Sequence, residues 1–179
     1  MGVKRWGAIW GFAEATVFFI VPDVLITYAA LTKTRTFIVW LCLYTLIGAL
    51  VGGTLMYALG IGFVKEGNEL LTHIPAIDAQ LVADVQQSLI ESGLIAMLLG
   101  PTQGIPYKIF ALNAYHADVY FWLFIIISVP ARVIRFLLAG LLVSFISQTL
   151  LKRQSKTVKV VLWLSFWVIF YTFYFIGMT

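Results

Sequence analysis

Charge is what this chain has least of. Of its 179 residues only 11% are Asp, Glu, Lys or Arg, while 61% are hydrophobic and the mean hydropathy is +0.97. Soluble domains carry about 25% charged residues and about 45–50% apolar ones. A single water-soluble core is therefore excluded, and the chain reads as an integral membrane protein. Cysteine is nearly absent as well. The one thiol, Cys42, excludes a disulfide framework and a cysteine-based metal centre, and its place in FIVWLCLYTLIGAL makes it a small apolar filler. The two histidines, His73 and His116, have no partner at metal-ligand spacing, so neither a metal nor a cofactor is expected. Ser128, Ser144 and Ser147 stand in apolar sequence without a base at useful spacing, so no catalytic residue is assigned and the chain is not read as an enzyme. Basic residues are scattered between apolar segments, which argues against a nucleic-acid partner.

What is present is a series of five apolar stretches, at 6–31, 36–64, 93–115, 119–151 and 160–178. The second, fourth and fifth are long enough to span a hydrocarbon core of about 30 Å. The first and third are each interrupted, by Pro22-Asp23 and by the run from Gly100 to Pro106 that includes Gly104. The pattern predicts an all-α membrane domain over 1–179, with re-entrant helical hairpins at 6–31 and 93–115 and transmembrane helices at 36–64, 119–151 and 160–178. The N-terminus has the look of a signal peptide, but Glu14 interrupts its apolar run and no clear cleavage site follows, so it reads as retained. The connector 65–92 repeats Leu81, Val85 and Leu89 at a spacing of four, as an amphipathic helix on the outer surface or a helix packed on the spans would.

With both broken stretches re-entrant, Lys4, Arg5, Lys33, Arg35, Lys152, Arg153, Lys156 and Lys159 share one side, and only Lys65 lies on the other. That bias places the N-terminus in the cytoplasm and the C-terminus outside a cell (inner) membrane. If all five stretches spanned, the bias would weaken. Irregular backbone at membrane depth needs protein or water around it, so the two breaks should meet. Entering from opposite faces, they have the layout of an inverted repeat with a site near the midplane. Gly48, Gly52 and Gly60 share one helix face and suit close packing, with a broken segment as one candidate partner.

Five charges remain inside the apolar stretches: Glu14, Asp23, Lys108, Arg132 and Arg135. Each costs about 2.5–3.5 kcal/mol at mid-helix unless it faces a partner or a water-filled cavity. Three cations against two acids leave room for an anion. Arg132 and Arg135 project from one helix face, near Pro130, and Lys108 follows Pro106 at a helix start where amides also favour an anion. Lys108, Arg132 and Arg135 are thus the candidate substrate-binding residues. Glu14 and Asp23 are the candidates for proton coupling, and Pro22, Gly104 and Pro106 make the breaks. Buried pairs such as Glu14–Arg135 or Asp23–Lys108 that only lock the fold are the plain alternative.

At these residues the chain resembles the DedA family, also called the VTT or SNARE-associated Golgi protein superfamily. The likeness runs from Glu14 through VPD at 21–23 and GALVGGTLMYALG, then Gly100, QGIPYK at 103–108, ALNAYHADVYF and PARVIRFLLAG. The first turn has a single proline, and Lys108 stands near the place of an arginine, so the chain is similar to a short, divergent member. The resemblance implies lipid translocation, a flippase or scramblase moving undecaprenyl phosphate or a phospholipid, with protons as a coupling partner. A small-ion channel or secondary transporter built on the same broken helices is the alternative. Three spans and two hairpins bury little interior, which leaves a homodimer open.

Overall fold

Three helices are long and apolar enough to cross a membrane, Arg35–Leu71, Phe121–Leu150 and Lys156–Ile176, and they fall on the second, fourth and fifth apolar stretches. They belong to a computed structural model that describes residues 2–177, so residue 178 of the last expected span lies outside the described residues. The described residues are all-helical, with no strand among them. In chain order the helices are α1 (Gly2–Thr16), α2 (Asp23–Ala30), α3 (Arg35–Leu71), α4 (Ala79–Ser92), α5 (Leu94–Leu99), α6 (Tyr107–Asn113), α7 (Phe121–Phe145) and α8 (Lys156–Gly177). A 3-10 turn, Gly100–Gln103, follows α5, and a π turn, Ile146–Leu150, ends α7.

Local chemistry sets several helix ends. The Thr34 hydroxyl accepts from the Phe37 amide at 3.3 Å and starts α3. The Asp78 carboxylate accepts from the Leu81 amide at 2.7 Å and starts α4. Such caps satisfy amides that have no intrahelical partner. Pro22 precedes α2 and Pro106 precedes α6, where a missing N–H costs nothing. Gly104 ends the 3-10 turn at φ +90°, a left-handed conformation that a side chain would strain.

The direction of each helix follows from what it touches. On α1, Gly7 faces Leu41 and Thr45 of α3, Gly11 faces Thr45 and Ala49, and further along Ala15 meets Gly52. Position rises together on both helices, so α1 and the first half of α3 run parallel. The chain must therefore turn back between them, and α2 makes that return. The Lys4 ammonium accordingly lies 5.5 Å from the Phe37 ring and 5.6 Å from the Trp40 ring, beside the start of α3. The second half of the chain behaves likewise. Gly53 abuts Tyr107 and Gly60 abuts Leu112, so α6 runs parallel to the far half of α3. Tyr57 donates to the Val119 carbonyl at 2.9 Å, while Gly140 lies against Ile38, so α7 runs antiparallel to α3.

The small-residue face of α3 thus packs on both interrupted segments, Gly48 and Gly52 on α1 and Gly60 on α6. A Cβ at Gly60 would run into the Leu112 carbonyl oxygen, and backbone cannot swing aside as a side chain can. Gly60→Ala should lower stability by about 1–3 kcal/mol, the cost of overpacking a filled interior. Gly62, two residues on, has nothing within 4 Å of its would-be Cβ. Thermal unfolding in detergent should show Gly60→Ala melting well below wild type and Gly62→Ala at or above it; equal melting would remove the close approach.

One boundary differs from the pattern read in the sequence. Helix α3 continues to Leu71, with a kink at Phe63, so the connector begins as its extension. Helix α4 buries Val82, Val85 and Leu89 in the main apolar cluster with Ile109, Phe110 and Leu112. It is packed on the protein, the second of the two arrangements its periodicity allowed. Cys42 is buried beside Ile38, Leu41 and Phe136, as an apolar filler should be.

Candidate functional site

The two breaks meet. Residues 17–22 lie between α1 and α2. Val17 and Phe18 still donate to the Ala13 carbonyl and the Pro22 carbonyl accepts from Ile26, while other backbone groups of the break find partners elsewhere. The Lys108 ammonium, from the second interrupted segment, donates to the Phe18 carbonyl at 2.7 Å. The Trp10 indole donates to the Ile20 carbonyl at 2.9 Å, and the Val21 amide donates to the Tyr171 hydroxyl at 3.0 Å. Buried backbone polar groups are nearly always paired, and here side chains from three other helices supply the pairing. The second break is tied in the same manner, with the Arg135 guanidinium donating to the Pro101 carbonyl at 3.4 Å.

All five charges singled out in the sequence gather at this place, in two ion pairs and one lysine. The Arg132 guanidinium donates to the Glu14 carboxylate at 2.6 Å, with side-chain exposures of 0% and 6%. Arg135 Nη2 lies 3.0 Å from Asp23 Oδ2, an ion pair whose angles are not those of a hydrogen bond. The pairing differs from the Glu14–Arg135 and Asp23–Lys108 partners considered from the sequence. The reason is register. Helices α2 and α7 run parallel, with Ile26 level with Gly140 and the Leu31 carbonyl accepting from Ser147. That register brings Asp23 level with Arg135 and leaves Arg132, one turn earlier, to Glu14.

A cavity of about 60 Å³ lies between the breaks, walled by Glu14, Phe18, Val21, Gly104, Lys108 and Arg135, with aromatic residues of α8 on one side and Ile74, Pro75 and Ile77 on another. At roughly 10–15 Å³ per water, it has room for a handful of waters or one small oxyanion. Pro22, Asp23 and Arg132 do not form its wall. Arg132 is fully buried behind Glu14, with its guanidinium carbon 4.1 Å above the Tyr107 ring. Nitrogens Nε and Nη1 of Arg132, and Nε and Nη2 of Arg135, have no hydrogen-bond acceptor among the described residues. Lys108 uses one of its three donor positions on Phe18. The wall therefore carries unused donor capacity beside a single acid, Glu14, already engaged by Arg132.

Sequence reasoning passed over several members. Tyr107 supports Arg132 from below and donates to the Ser128 hydroxyl at 2.7 Å. Thr27 accepts from both Trp163 and Trp167, at 3.0 and 3.1 Å, and donates to the Asp23 carbonyl at 2.6 Å. The signal for the last group was available, since Trp163, Trp167 and Tyr171 recur every four residues and so share one face of α8. Each histidine meets a backbone carbonyl. His116 Nε2 lies 2.9 Å from the Gly60 carbonyl and His73 Nδ1 lies 2.9 Å from the Glu69 carbonyl. Among the described residues no group of three or more His, Cys, Asp or Glu is placed to hold a metal ion.

Comparison with known proteins adds little to this geometry. The chain is similar to an uncharacterized protein of Haemophilus influenzae, 27% identical over 160 residues that cover 88% of this chain and 81% of the relative. No family model matches the chain. No solved structure matches it either.

Proposed function

We propose that this protein is a membrane lipid translocase of the DedA/VTT type, moving an anionic lipid phosphate between leaflets. The observation that carries the reading is the convergence of Lys108 and Arg135, with unused donors, on a small cavity between two helix breaks. Charges in a bilayer are expensive unless they are used, and the five here sum to +1. A phosphate group would balance that charge and take the free donors. In this reading α1–α2 and α5–α6 are re-entrant hairpins. The parallel run of α1 with the first half of α3, and of α6 with its second half, supports entrance from opposite faces. Lys4, Arg5 and Lys33 lie together at the N-terminal end of α3, which supports an N-terminus in the cytoplasm of an inner membrane and a C-terminus outside. Glu14, on the cavity wall, is the proton-coupling residue, and Asp23 holds Arg135 in place.

The test is transbilayer movement in proteoliposomes. Labelled polyprenyl phosphate, phosphatidylglycerol and phosphatidylcholine should be compared in parallel with flux of chloride and sodium, with and without an imposed pH gradient. Movement of phosphate-bearing lipid without ion current is the expected result. Ion current that ignores the lipid present would favour the channel, and neither activity would leave the charges as a structural lock.

A further inference from the structure

At about 60 Å³ the cavity has room for a phosphate but not for the rest of a lipid, so the chain of a lipid bound there would stay outside it. Most of the wall has protein behind it: α3, α6 and α7 contribute to a continuous apolar cluster around Tyr57, Tyr107 and Phe124. One wall does not. Helix α8 faces the cavity with Phe170, Tyr171 and Tyr174, while Phe166, Ile169 and Phe173 on its other side are 60%, 56% and 71% exposed. It is a single helix between the cavity and the bilayer, and only 6% of its apolar window is buried.

Near its start α8 is held by Lys159 donating to the Ser147 carbonyl, and further along by Tyr174 donating to the Gly104 carbonyl at 3.5 Å and by ring contacts with Tyr28 and Phe19. Beyond these, polar contacts run from its aromatic face to the first break and α2. Trp163 and Trp167 both donate to Thr27 Oγ1, and Tyr171 accepts from the Val21 amide. Thr27 has two lone pairs and one proton, and these contacts with the Asp23 carbonyl use all of them. The latch is therefore complete when closed. It also ends on the helix whose first residue, Asp23, pairs with Arg135 of the cavity wall.

Resting on the translocase reading, we infer that the lipid reaches the cavity sideways, between α8 and the two breaks, with its apolar chain lying on the Trp163–Trp167–Tyr171 face. The ligand is an amphiphile whose phosphate sits between Lys108 and Arg135 while its chain remains in the bilayer. Release of the indoles from Thr27 opens the passage, and the aromatic rings then cover the chain instead of α2.

The opening can be read without measuring transport. In a Cys42→Ala background, Ile105→Cys places a thiol on the cavity wall. Reconstituted protein is treated with a maleimide carried on a lipid, or with a charged, water-soluble thiosulfonate. The lipid-borne reagent should label Cys42→Ala/Ile105→Cys. Its rate should rise about 10-fold when Trp163→Phe and Trp167→Phe are added, as expected for the loss of two neutral hydrogen bonds. Thr27→Val removes the acceptor and leaves α8 untouched; it should give the same rise. Labelling by the water-soluble reagent alone, or a lipid-borne rate that neither set of substitutions changes in protein of unaltered melting temperature, would overturn the lateral route. Because labelling needs no transport, a protein that labels from the bilayer but moves no lipid would count against the translocase and not against the opening.

Discussion

Glu14→Ala and Arg132→Ala should each destabilise the protein by about 3–5 kcal/mol, whereas Glu14→Gln combined with Arg132→Met should cost far less. The pair is almost completely buried, at 2.6 Å, with Arg132 stacked on Tyr107 and only the Glu14 carboxylate reaching the cavity wall. Removing one partner leaves the other as an uncompensated charge in an apolar interior, and that penalty exceeds the net worth of the pair itself. Two of the Arg132 nitrogens already lack an acceptor, so the guanidinium depends on Glu14 and on the Tyr107 ring. Neutralising both residues removes the burden together with the attraction. Unfolding of purified protein in detergent, with the Glu14→Gln and Arg132→Met single variants included to close a double-mutant cycle, reads the coupling directly. Additive losses would mean that the two side chains do not depend on one another.

Lys108→Gln, and Arg135→Gln combined with Asp23→Asn so that no buried carboxylate is left unpaired, should leave the protein folded and slow lipid movement by about 10- to 100-fold each. A hydrogen bond to a charged group contributes about 1.5–3 kcal/mol, and every 1.4 kcal/mol is a factor of ten. Both cations face the cavity, and each also holds a carbonyl of a break, Lys108 at Phe18 and Arg135 at Pro101. The glutamine amide can still donate to those carbonyls, which is why it is preferred to alanine: it separates the charge from the tether. If the function is anion binding, glutamine fails and the melting temperature holds. If the cations only tie the breaks, glutamine substitutes for them and movement persists at the wild-type rate.

How much of this was legible beforehand depends on the range of the interaction. Pro22, Gly104 and Pro106 mark the interruptions because proline and left-handed glycine act on the backbone locally; α2 and α6 start directly after the two prolines, while α1 already ends at Thr16 and α5 at Leu99. The five charges within the apolar stretches were legible for a similar reason, since a charge in an apolar run needs no partner to be conspicuous. Gly48, Gly52 and Gly60 announced a close approach through their spacing, although not that it would serve both interrupted segments. Pairing was not legible. Arg132 and Arg135 differ by one helical turn, and which of them meets Glu14 is decided by the register of α7 against α2, set by contacts such as Ile26 with Gly140 and Ser147 with Leu31. The aromatic stripe of α8 was visible, but in an apolar span it reads as lipid-facing, so the part it plays was not. Only the partner positions, Thr27 and Val21, give it another meaning.

The central claim is that the meeting of two broken helices makes a site for the phosphate of a lipid. The most direct measurement is the affinity of a soluble, short-chain alkyl phosphate for purified protein in detergent, by calorimetry, for wild type and for Lys108→Gln of matched melting temperature. The account predicts saturable binding to wild type at one site, weakened about 10-fold or more by the substitution, with the corresponding uncharged alcohol failing to compete. Equal affinity in both proteins, or equal binding of the alcohol, would contradict it.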